Sequence, residues 1–514
     1  MPSDGMERAL RAERAQRVRQ QNKRNLVVAI VALVVIIMVA VFYIKMIAPA
    51  GVPAEVATAD NRDYFPVVHS LLAGAQSSID VVLYQSRFYF EYPMSTSNTL
   101  IADLADASER GVRVRVVLEV ADWNYDNSED NRDVWMILTE AGVETYFDPV
   151  GTTSHSKLVV VDGKYSVVGS MNWSYYALDR NNEATAIVQS ERIGKAFTAY
   201  FDRLVASSTK NYTLPLKALR AADVTGDEAQ GLIVADVVDS ARYSPADKQG
   251  RLYLGRLEVL ADEDALNEVL AVDSLFFQRV AGESVRIFGR LDRSVPGLVH
   301  ALDLETQATD RAMIRAFASE RAAVKAAGVP KPTLTWVDAG RVVPIPNEAY
   351  AQEVGKILKN ARQRIWLALL DARYYDKRPE YAERPPRRGP EGDLPSLTNA
   401  LLADLEDAAR RGVDVRLVID MGRDGRMPPT KTAFLARLTA AGGKVYEDSP
   451  DITTHAKALI VDDDFSVVGS TNWSLPALEE NNETAVLIES REINRHYAGF
   501  IAAASPEFPG AAGN

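Results

Sequence analysis

The chain contains no cysteine. Disulfides, thiolate metal sites, cysteine nucleophiles and lipidation at a lipobox cysteine are therefore excluded. Histidine is scarce as well: five in 514 residues, at His69, His155, His300, His455 and His496. Beyond its N-terminus the chain also lacks an excess of positive charge. Residues 1–45 carry eight Lys/Arg against Asp4, Glu7 and Glu13, a local balance of +5; with the whole chain at −12, the remainder carries −17. Affinity for a phosphate backbone comes largely from Lys and Arg, so the general field of this acidic body disfavours long nucleic acid and anionic lipid alike, and only a local basic groove overrides it. What is present is ordinary for globular protein: 47% hydrophobic residues, enough for buried cores in two to four domains.

One segment departs from that composition. Leu26 to Ile44 runs nineteen residues without a charge, and a helix of that length covers roughly 28 Å, the thickness of a bilayer core. A buried core helix is the bland alternative, but a run apolar on every face and preceded by Lys23 and Arg24 does not resemble one. A cleaved signal peptide is the other, since Ala48-Pro49-Ala50 resembles a small-residue cleavage site. The run exceeds the usual signal core, so an uncleaved anchor is the favoured reading. The positive-inside rule then places residues 1–25 in the cytoplasm and the body after about residue 46 outside it, a single-pass membrane protein.

Comparing the chain with itself reveals a duplication. LIADLADASERGVRVRVVLEV from Leu100 matches LLADLEDAARRGVDVRLVIDM from Leu401, and LTEAGVETYFD from Leu138 matches LTAAGGKVYED from Leu438. The stretch from His155 matches that from His455 at an offset of 300. Two copies of one domain are read over 54–206 and 333–506, with an unrelated β-rich and helical module over 207–332. Within each copy, short apolar runs at Ile79–Tyr84 and Ile365–Leu370 read as buried strands. Helical periodicity follows until Gly111 or Gly412, and a further strand follows the glycine. This order predicts an α/β fold with a mixed or parallel sheet covered by helices. The Pro/Arg-rich stretch 378–395 reads as a loop.

Both copies carry H-x-K-x(4)-D-x(6)-G-S-x-N: His155, Lys157, Asp162, Gly169, Ser170 and Asn172, then His455, Lys457, Asp462, Gly469, Ser470 and Asn472. Each continues to N-N-E, with Glu183 and Glu483 both 28 residues after their histidine. In an extended H-x-K the first and third side chains share a face, which sets an imidazole beside an ammonium. The small Gly-Ser pairs let a following strand approach and present Asn172 or Asn472 to the same pocket. Imidazole, ammonium and amide together suit a phosphodiester substrate. In-line displacement at phosphorus needs an attacking group on one side and a leaving-group acid on the other; one copy supplies a single histidine, and the duplication supplies both. A lone histidine beside a cationic lysine is a poor divalent-ion ligand set, so no metal or other cofactor is expected. Asp162 and Asp462 each follow a β-run and precede a turn, which favours a structural role for them, with Ser170 and Ser470 as structural members of the motif. Trp173 and Trp473 read as core aromatics rather than substrate platforms. His69, His300 and His496 receive no function.

These motifs resemble the duplicated signature of the phospholipase D superfamily, over both copies but neither the apolar segment nor the module. The resemblance implies two pseudo-symmetric α-β-α lobes sharing one active site. It also implies that one histidine forms a covalent phosphohistidine while the other protonates the leaving alcohol and then activates water or an acceptor alcohol. Carried over, His155 is the nucleophile and His455 the acid. Glu183 and Glu483 accept a hydrogen bond from the second ring nitrogen, and Lys157, Lys457, Asn172 and Asn472 hold the nonbridging oxygens. The apolar segment favours phospholipid as the substrate, by hydrolysis or phosphatidyl transfer, with a phospholipid membrane as partner. A nuclease is the alternative, because G-S-x-N-W-S-x(2)-A-L-x(2)-N-N-E is more similar to the superfamily's small endonucleases than to the N-L-D-x-R-S continuation of cardiolipin synthases. A non-catalytic binding protein is the third reading, and two intact motifs argue against it.

Overall fold

The computed structural model describes residues 51–121, 123–212, 221, 232–272, 274–292, 294–329, 331–332, 334–379, 388–389, 392–393, 396–422 and 427–509. The apolar run 26–44 and its basic flank lie outside the described residues. Among the described residues, no helix is long and apolar enough to cross a membrane.

The first half runs β1 (Val52–Thr58), α1 (Tyr64–Gly74), β2 (Ser78–Leu83), α2 (Thr96–Glu109), β3 (Arg113–Leu118), α3 (Tyr125–Glu140), β4 (Glu144–Phe147), β5 (Lys157–Val161), β6 (Tyr165–Gly169), β7 (Thr185–Gln189) and α4 (Glu191–Ser207). A module follows with β8 (Leu232–Val237), β9 (Ser240–Ser244), β10 (Gln249–Leu254), β11 (Leu257–Ala261), α5 (Glu263–Val272), β12 (Ser284–Leu291), β13 (Leu298–Thr306) and α6 (Gln307–Ala327). The second half repeats the first: β14 (Val337–Pro344), α7 (Glu348–Asn360), β15 (Arg364–Leu369), α8 (Leu397–Arg410), β16 (Asp414–Ile419), α9 (Pro429–Ala440), β17 (Lys444–Glu447), β18 (Lys457–Val461), β19 (Phe465–Gly469), β20 (Ala485–Glu489) and α10 (Arg491–Ala503).

Among the described residues, fourteen strands of the two halves form one mixed sheet, ordered β17-β16-β15-β18-β19-β20-β14-β1-β7-β6-β5-β2-β3-β4, and 388–389 pairs with 392–393 in a separate short hairpin within the stretch read as a loop. The order of one half is that of the other reversed about the seam between β1 and β14. That seam is antiparallel, pairing Val56 with Val337 and Glu55 with Asp338, and it joins two halves that the duplication alone would leave separate. One face of the sheet is covered by α4 and α10. There Val56, Val160 and Val188 share a core with Val342, Ile460 and Ile488 beneath Phe197, Phe201, Tyr497 and Ile501. The opposite face carries a separate core in each half, under α1 to α3 and α7 to α9. Gly111 and Gly412 end α2 and α8 at φ of 88° and 90°, a backbone region that favours glycine.

The module over 207–332 is only partly self-contained. Its six strands, ordered β8-β12-β13-β11-β10-β9, have their own core. Helix α6, in contrast, is packed into the first half, where Met313, Phe317 and Val324 join the core of α2 and β2. Its polar face is tied down too, with Arg321 bridging to Asp106 and Glu109 and Glu320 accepting from the Met94 backbone N–H. An amphipathic helix announces its apolar stripe in sequence but not the partner that covers it.

Asp162 and Asp462 occupy the turns after β5 and β18 at φ of 55° and 49°, a conformation that Asp tolerates better than most residues. The Asp162 carboxylate accepts from the backbone N–H groups of Gln76, Ser77 and Ser78 at 3.1, 2.7 and 3.1 Å. Asp462 does the same for Arg362, Gln363 and Arg364. Each clips the motif hairpin to the start of a neighbouring strand. Burial alone would raise the Asp162 pKa, but its backbone donors outweigh burial and hold the carboxyl below its ordinary value. Its stabilisation is therefore complete above the unfolded pKa of 3.8 and is lost as pH falls through the lower folded value. Asp162→Ala is expected to lower stability by roughly 1.5–3 kcal/mol at pH 7 in urea unfolding, the range for hydrogen bonds to a charged group. The turnover of the protein that remains folded should be little changed.

Candidate active site

The strand geometry brings the repeated motifs together. His155 and His455 lie two residues before the starts of β5 and β18, at the strand ends beside β2 and β15. The segments leading into them cross-pair with the N-N-E segment of the other half. Asn182 donates to Thr453 O at 2.9 Å and its carbonyl accepts from His455 N at 3.0 Å, while Asn482 donates to Thr153 O at 2.8 Å. This pairing exchanges the glutamates. His155 Nδ1 lies 3.0 Å from Glu483 Oε1, and His455 Nδ1 lies 2.9 Å from Glu183 Oε2. Each histidine is thus held by the carboxylate of the opposite copy, not the one 28 residues after it in its own. With Nδ1 donating to a carboxylate, Nε2 is the nitrogen left for chemistry.

Each glutamate is fixed in turn. Ser170 Oγ donates to Glu183 and Ser470 Oγ to Glu483, so the motif serines orient the carboxylates. A Cβ on Gly169 or Gly469 would collide with the carbonyl oxygen of Ala184 or Thr484, which bears out the close strand approach read from the Gly-Ser pairs. The backbone N–H of Glu183 donates to Asn61 Oδ1, and that of Glu483 to Asn347 Oδ1, both at 2.8 Å. Asn61 and Asn347 sit at φ of 52° and 49° and were not singled out in the sequence. A signal did exist: N-x-x-Y occurs at 61–64 and at 347–350, ahead of α1 and α7. Tyr64 and Tyr350 accept from the fully buried Trp173 and Trp473 through the indole N–H, at 3.0 Å each, so both tryptophans are core residues.

Lys157 and Lys457 are buried beside the histidines, each ammonium donating to the carbonyl of the histidine two residues earlier at 2.6 Å. Burial drives the His155 pKa down to about 4 and also lowers that of His455; the paired glutamate opposes the shift in both. The Lys457 ammonium is pushed down to about 8 by burial, and Lys157 is lowered well below its ordinary value for the same reason. Burial would raise Glu183, but His455, Lys457 and Ser170 hold it below the ordinary carboxyl value. The result is a largely buried cluster of two imidazoles, two ammonium groups and two carboxylates, each half supplying one of each.

Two cavities adjoin this cluster. One, of about 870 Å³, contains His455 with Asn172 and is lined by Tyr89, Tyr92, Tyr175 and Tyr176. The other, of about 800 Å³, contains His155 with Asn472 and is lined by Tyr84, Trp123 and Arg373. Each therefore combines a histidine of one half with an asparagine of the other. The Oδ1 atoms of both asparagines are buried without a protein partner, and both residues line the cavities.

The two halves are not equivalent in detail. Leu83 and Leu369 pair with Lys157 and Lys457, so the next residues, Tyr84 and Leu370, correspond. The Tyr84 ring meets His155 edge-on at 4.8 Å and lies 4.7 Å from the Lys157 ammonium; no aromatic occupies that place beside His455. Behind His155 the Ser154 N–H donates to both Glu119 and Asp148, at 2.5 and 2.8 Å. Burial and the adjacent Asp148 hold the Glu119 carboxyl well above its ordinary pKa. In the second half the Thr454 N–H donates to Asp448 at 2.7 Å.

The exchange of glutamates has a direct thermodynamic signature. In urea unfolding, Glu483→Gln and His155→Gln should show a coupling energy of about 1 kcal/mol or more, and Glu483→Gln with His455→Gln less than about half of that. Glu183 should couple in the mirrored sense. Stronger coupling within each copy would refute the exchange.

A family profile described as "Cardiolipin synthase, PLD-like domain" matches residues 68–205 and 394–503. The chain is 30% identical over 96 residues to the mitochondrial cardiolipin hydrolase of Canis lupus familiaris, covering 19% of this chain and 36% of that protein. It is 29% identical over 133 residues to cardiolipin synthase A of Buchnera aphidicola, 26% of each chain. These matches thus span about a third or less of the curated relatives' own length. Among solved structures, phosphatidylserine synthase of Haemophilus influenzae Rd KW20 aligns at a TM-score of 0.45 and 10% identity, over 86% of this chain and 85% of that one.

Proposed function

The chain belongs to the phospholipase D superfamily, and from that premise we propose that it is a membrane-anchored phosphodiesterase acting on phospholipids through a phosphohistidine. The two halves, 54–206 and 333–506, act as pseudo-symmetric lobes of one active site, and the module over 207–332 braces the first. Residues 26–44 form the anchor, with the N-terminus cytoplasmic and the catalytic body outside. The observation that carries the reading is the reciprocal pairing of His155 with Glu483 and of His455 with Glu183. It supports two imidazoles with Nε2 available in a single site, which in-line displacement at phosphorus requires.

In the first step His155 Nε2 bonds to phosphorus, the bond from phosphorus to the leaving alcohol breaks, and His455 gives its proton to the departing oxygen. In the second, His455 takes a proton from water or an acceptor alcohol, whose oxygen attacks phosphorus and frees His155. Lys157, Lys457, Asn172 and Asn472 hold the nonbridging oxygens throughout. The lowered pKa of His155 keeps it neutral at pH 7, as a nucleophile must be. The Tyr84 edge supports the same assignment, because it fixes the His155 ring while leaving His455 without an aromatic neighbour there. Lipid is preferred over nucleic acid for the apolar segment. The endonuclease-like continuation after Asn172 and Asn472 makes nucleic acid the second reading.

Incubation with labelled phospholipids and with oligonucleotides, followed by product identification, tests the substrate class; cleavage of oligonucleotides alone would overturn the lipid reading. An activated diester tests the histidines. His155→Ala should form no adduct, whereas His455→Ala should accumulate acid-labile phosphohistidine on His155, because a good leaving group needs little protonation and nothing then activates water. An adduct mapped to His455 by mass spectrometry reverses the assignment. Protonation of His155 removes the nucleophile, so kcat/KM for the activated diester should stay level from pH 7 to about 5 and fall with a midpoint near pH 4. A midpoint near 6.5 would show that burial does not depress this imidazole.

A further inference from the structure

Exposed aromatic side chains are concentrated at the two cavities beside the histidines. Among the described residues, five tyrosine, tryptophan or phenylalanine side chains are more than a third exposed: Tyr92, Trp123, Tyr175, Tyr176 and Tyr243. Three of them line the cavity that holds His455, and Trp123 lines the one that holds His155; only Tyr243 lies elsewhere, on the inserted sheet. Tyr92, Trp123 and Tyr176 are 60% or more exposed. Apolar surface displayed in this way around a site marks contact with a partner.

The display is not a by-product of the fold. Tyr175 and Tyr176 correspond to Leu475 and Pro476 in the second half, and Leu475 is fully buried. The same backbone frame therefore does without exposed aromatics where the cleft has no use for them. The segments that carry the rings are also held firmly. Asn98, in the first turn of α2, accepts from the Tyr89 N–H at 2.7 Å and donates to the carbonyls of Tyr89 and Tyr92. The Tyr89 hydroxyl accepts from the Tyr175 N–H at 2.8 Å, and Tyr175 packs edge-on against Tyr176 at 5.6 Å. Arg180 donates to the Tyr175 hydroxyl at 2.8 Å, which sets a cation at the same rim.

We propose that Tyr92, Tyr175, Tyr176 and Trp123 form a docking rim that seats the mouth of the cleft on the headgroup layer of a phospholipid bilayer; this rests on the phospholipid reading above. Tyrosine and tryptophan are the side chains that settle at that level, ring toward the acyl boundary and polar atom toward water. Charge argues for the same means of attachment. A body carrying −17 is not drawn to an anionic surface by its field, so contact has to come from buried aromatic area, with Arg180 meeting lipid phosphate locally. The chain from Ile44 to Val52 is eight residues long and reaches at most about 28 Å fully extended. An anchored body is therefore kept within reach of the surface its rim would touch.

The test uses the full-length protein in phospholipid vesicles and two substrates with one headgroup, a long-chain lipid in the bilayer and a short-chain lipid below its micelle concentration. Combining Tyr92→Ser, Tyr176→Ser and Trp123→Ser should lower the ratio of bilayer to soluble activity at least tenfold. Tyr92→Phe, Tyr176→Phe and Trp123→Phe together should retain most of it. A ratio within twofold of wild type overturns the docking rim, as does an equal loss on both substrates, which would make these residues part of the substrate site. A second measurement does not depend on turnover. Brominated lipid should quench the fluorescence lost in Trp123→Phe, and no quenching of that component overturns docking. Quenching without cleavage of either lipid would sink the substrate reading while leaving docking in place. If the serine variant instead raised KM for a single-stranded oligonucleotide, the rim would be a base-stacking platform and the bilayer proposal would fall.

Discussion

Two carboxylates with no solvent exposure, Glu183 and Glu483, set the terms for the rest of this structure. Burying an ion is unfavourable unless it is paired and hydrogen-bonded on all sides. Here the compensation for each carboxylate comes from both halves: the histidine of one, and the motif serine with the Asn181 or Asn481 side-chain amide of the other. Neither half can satisfy its own glutamate alone. The continuous sheet follows from the same requirement, because the β1–β14 seam and the shared core beneath α4 and α10 are what hold the two N-N-E segments against the opposite histidines.

The duplication gives the two sides of the site the same backbone and lets their linings diverge. Tyr84 stands where the second half has Leu370, and an aromatic rim borders His455 where its counterpart is Leu475-Pro476. A symmetric frame offers two chemically identical histidines. A two-step displacement needs two different ones, and the differences lie in residues that touch or border the imidazoles, not in the motifs.

Much of this could be read from sequence, because the motif residues are constrained by local geometry. H-x-K at a strand edge, Gly-Ser where strands crowd, Asp in a left-handed turn and Gly after a helix are all short-range requirements, and the structure keeps each of them. The exchange of Glu183 and Glu483 was not legible for a simple reason. Both copies carry the same residues at the same spacing, so pairing within a copy and pairing across copies are written identically. Asn61 and Asn347 were missed because they stand more than a hundred residues from the glutamates they support, marked only by a two-residue pattern. The placement of α6 was beyond reach because an apolar stripe does not specify what it covers.

On the proposed reading, burial poses a difficulty that the substrate itself resolves. Burial in the cluster lowers the pKa of both histidines, which suits a nucleophile and is wrong for an acid. A phosphodiester entering between them brings a negative charge into a poorly screened site, where its effect on nearby groups is large. That charge acts against desolvation on every cationic group in the cluster, and most strongly on the imidazole closest to the leaving oxygen. His455 would then gain its proton as the substrate binds, when an acid is needed, while His155, with Tyr84 against its ring, stays neutral toward phosphorus. In the unliganded site both histidines are free of charge, so the two buried carboxylates face only the lysines, and the fold is not asked to bury two extra cations while it waits for substrate.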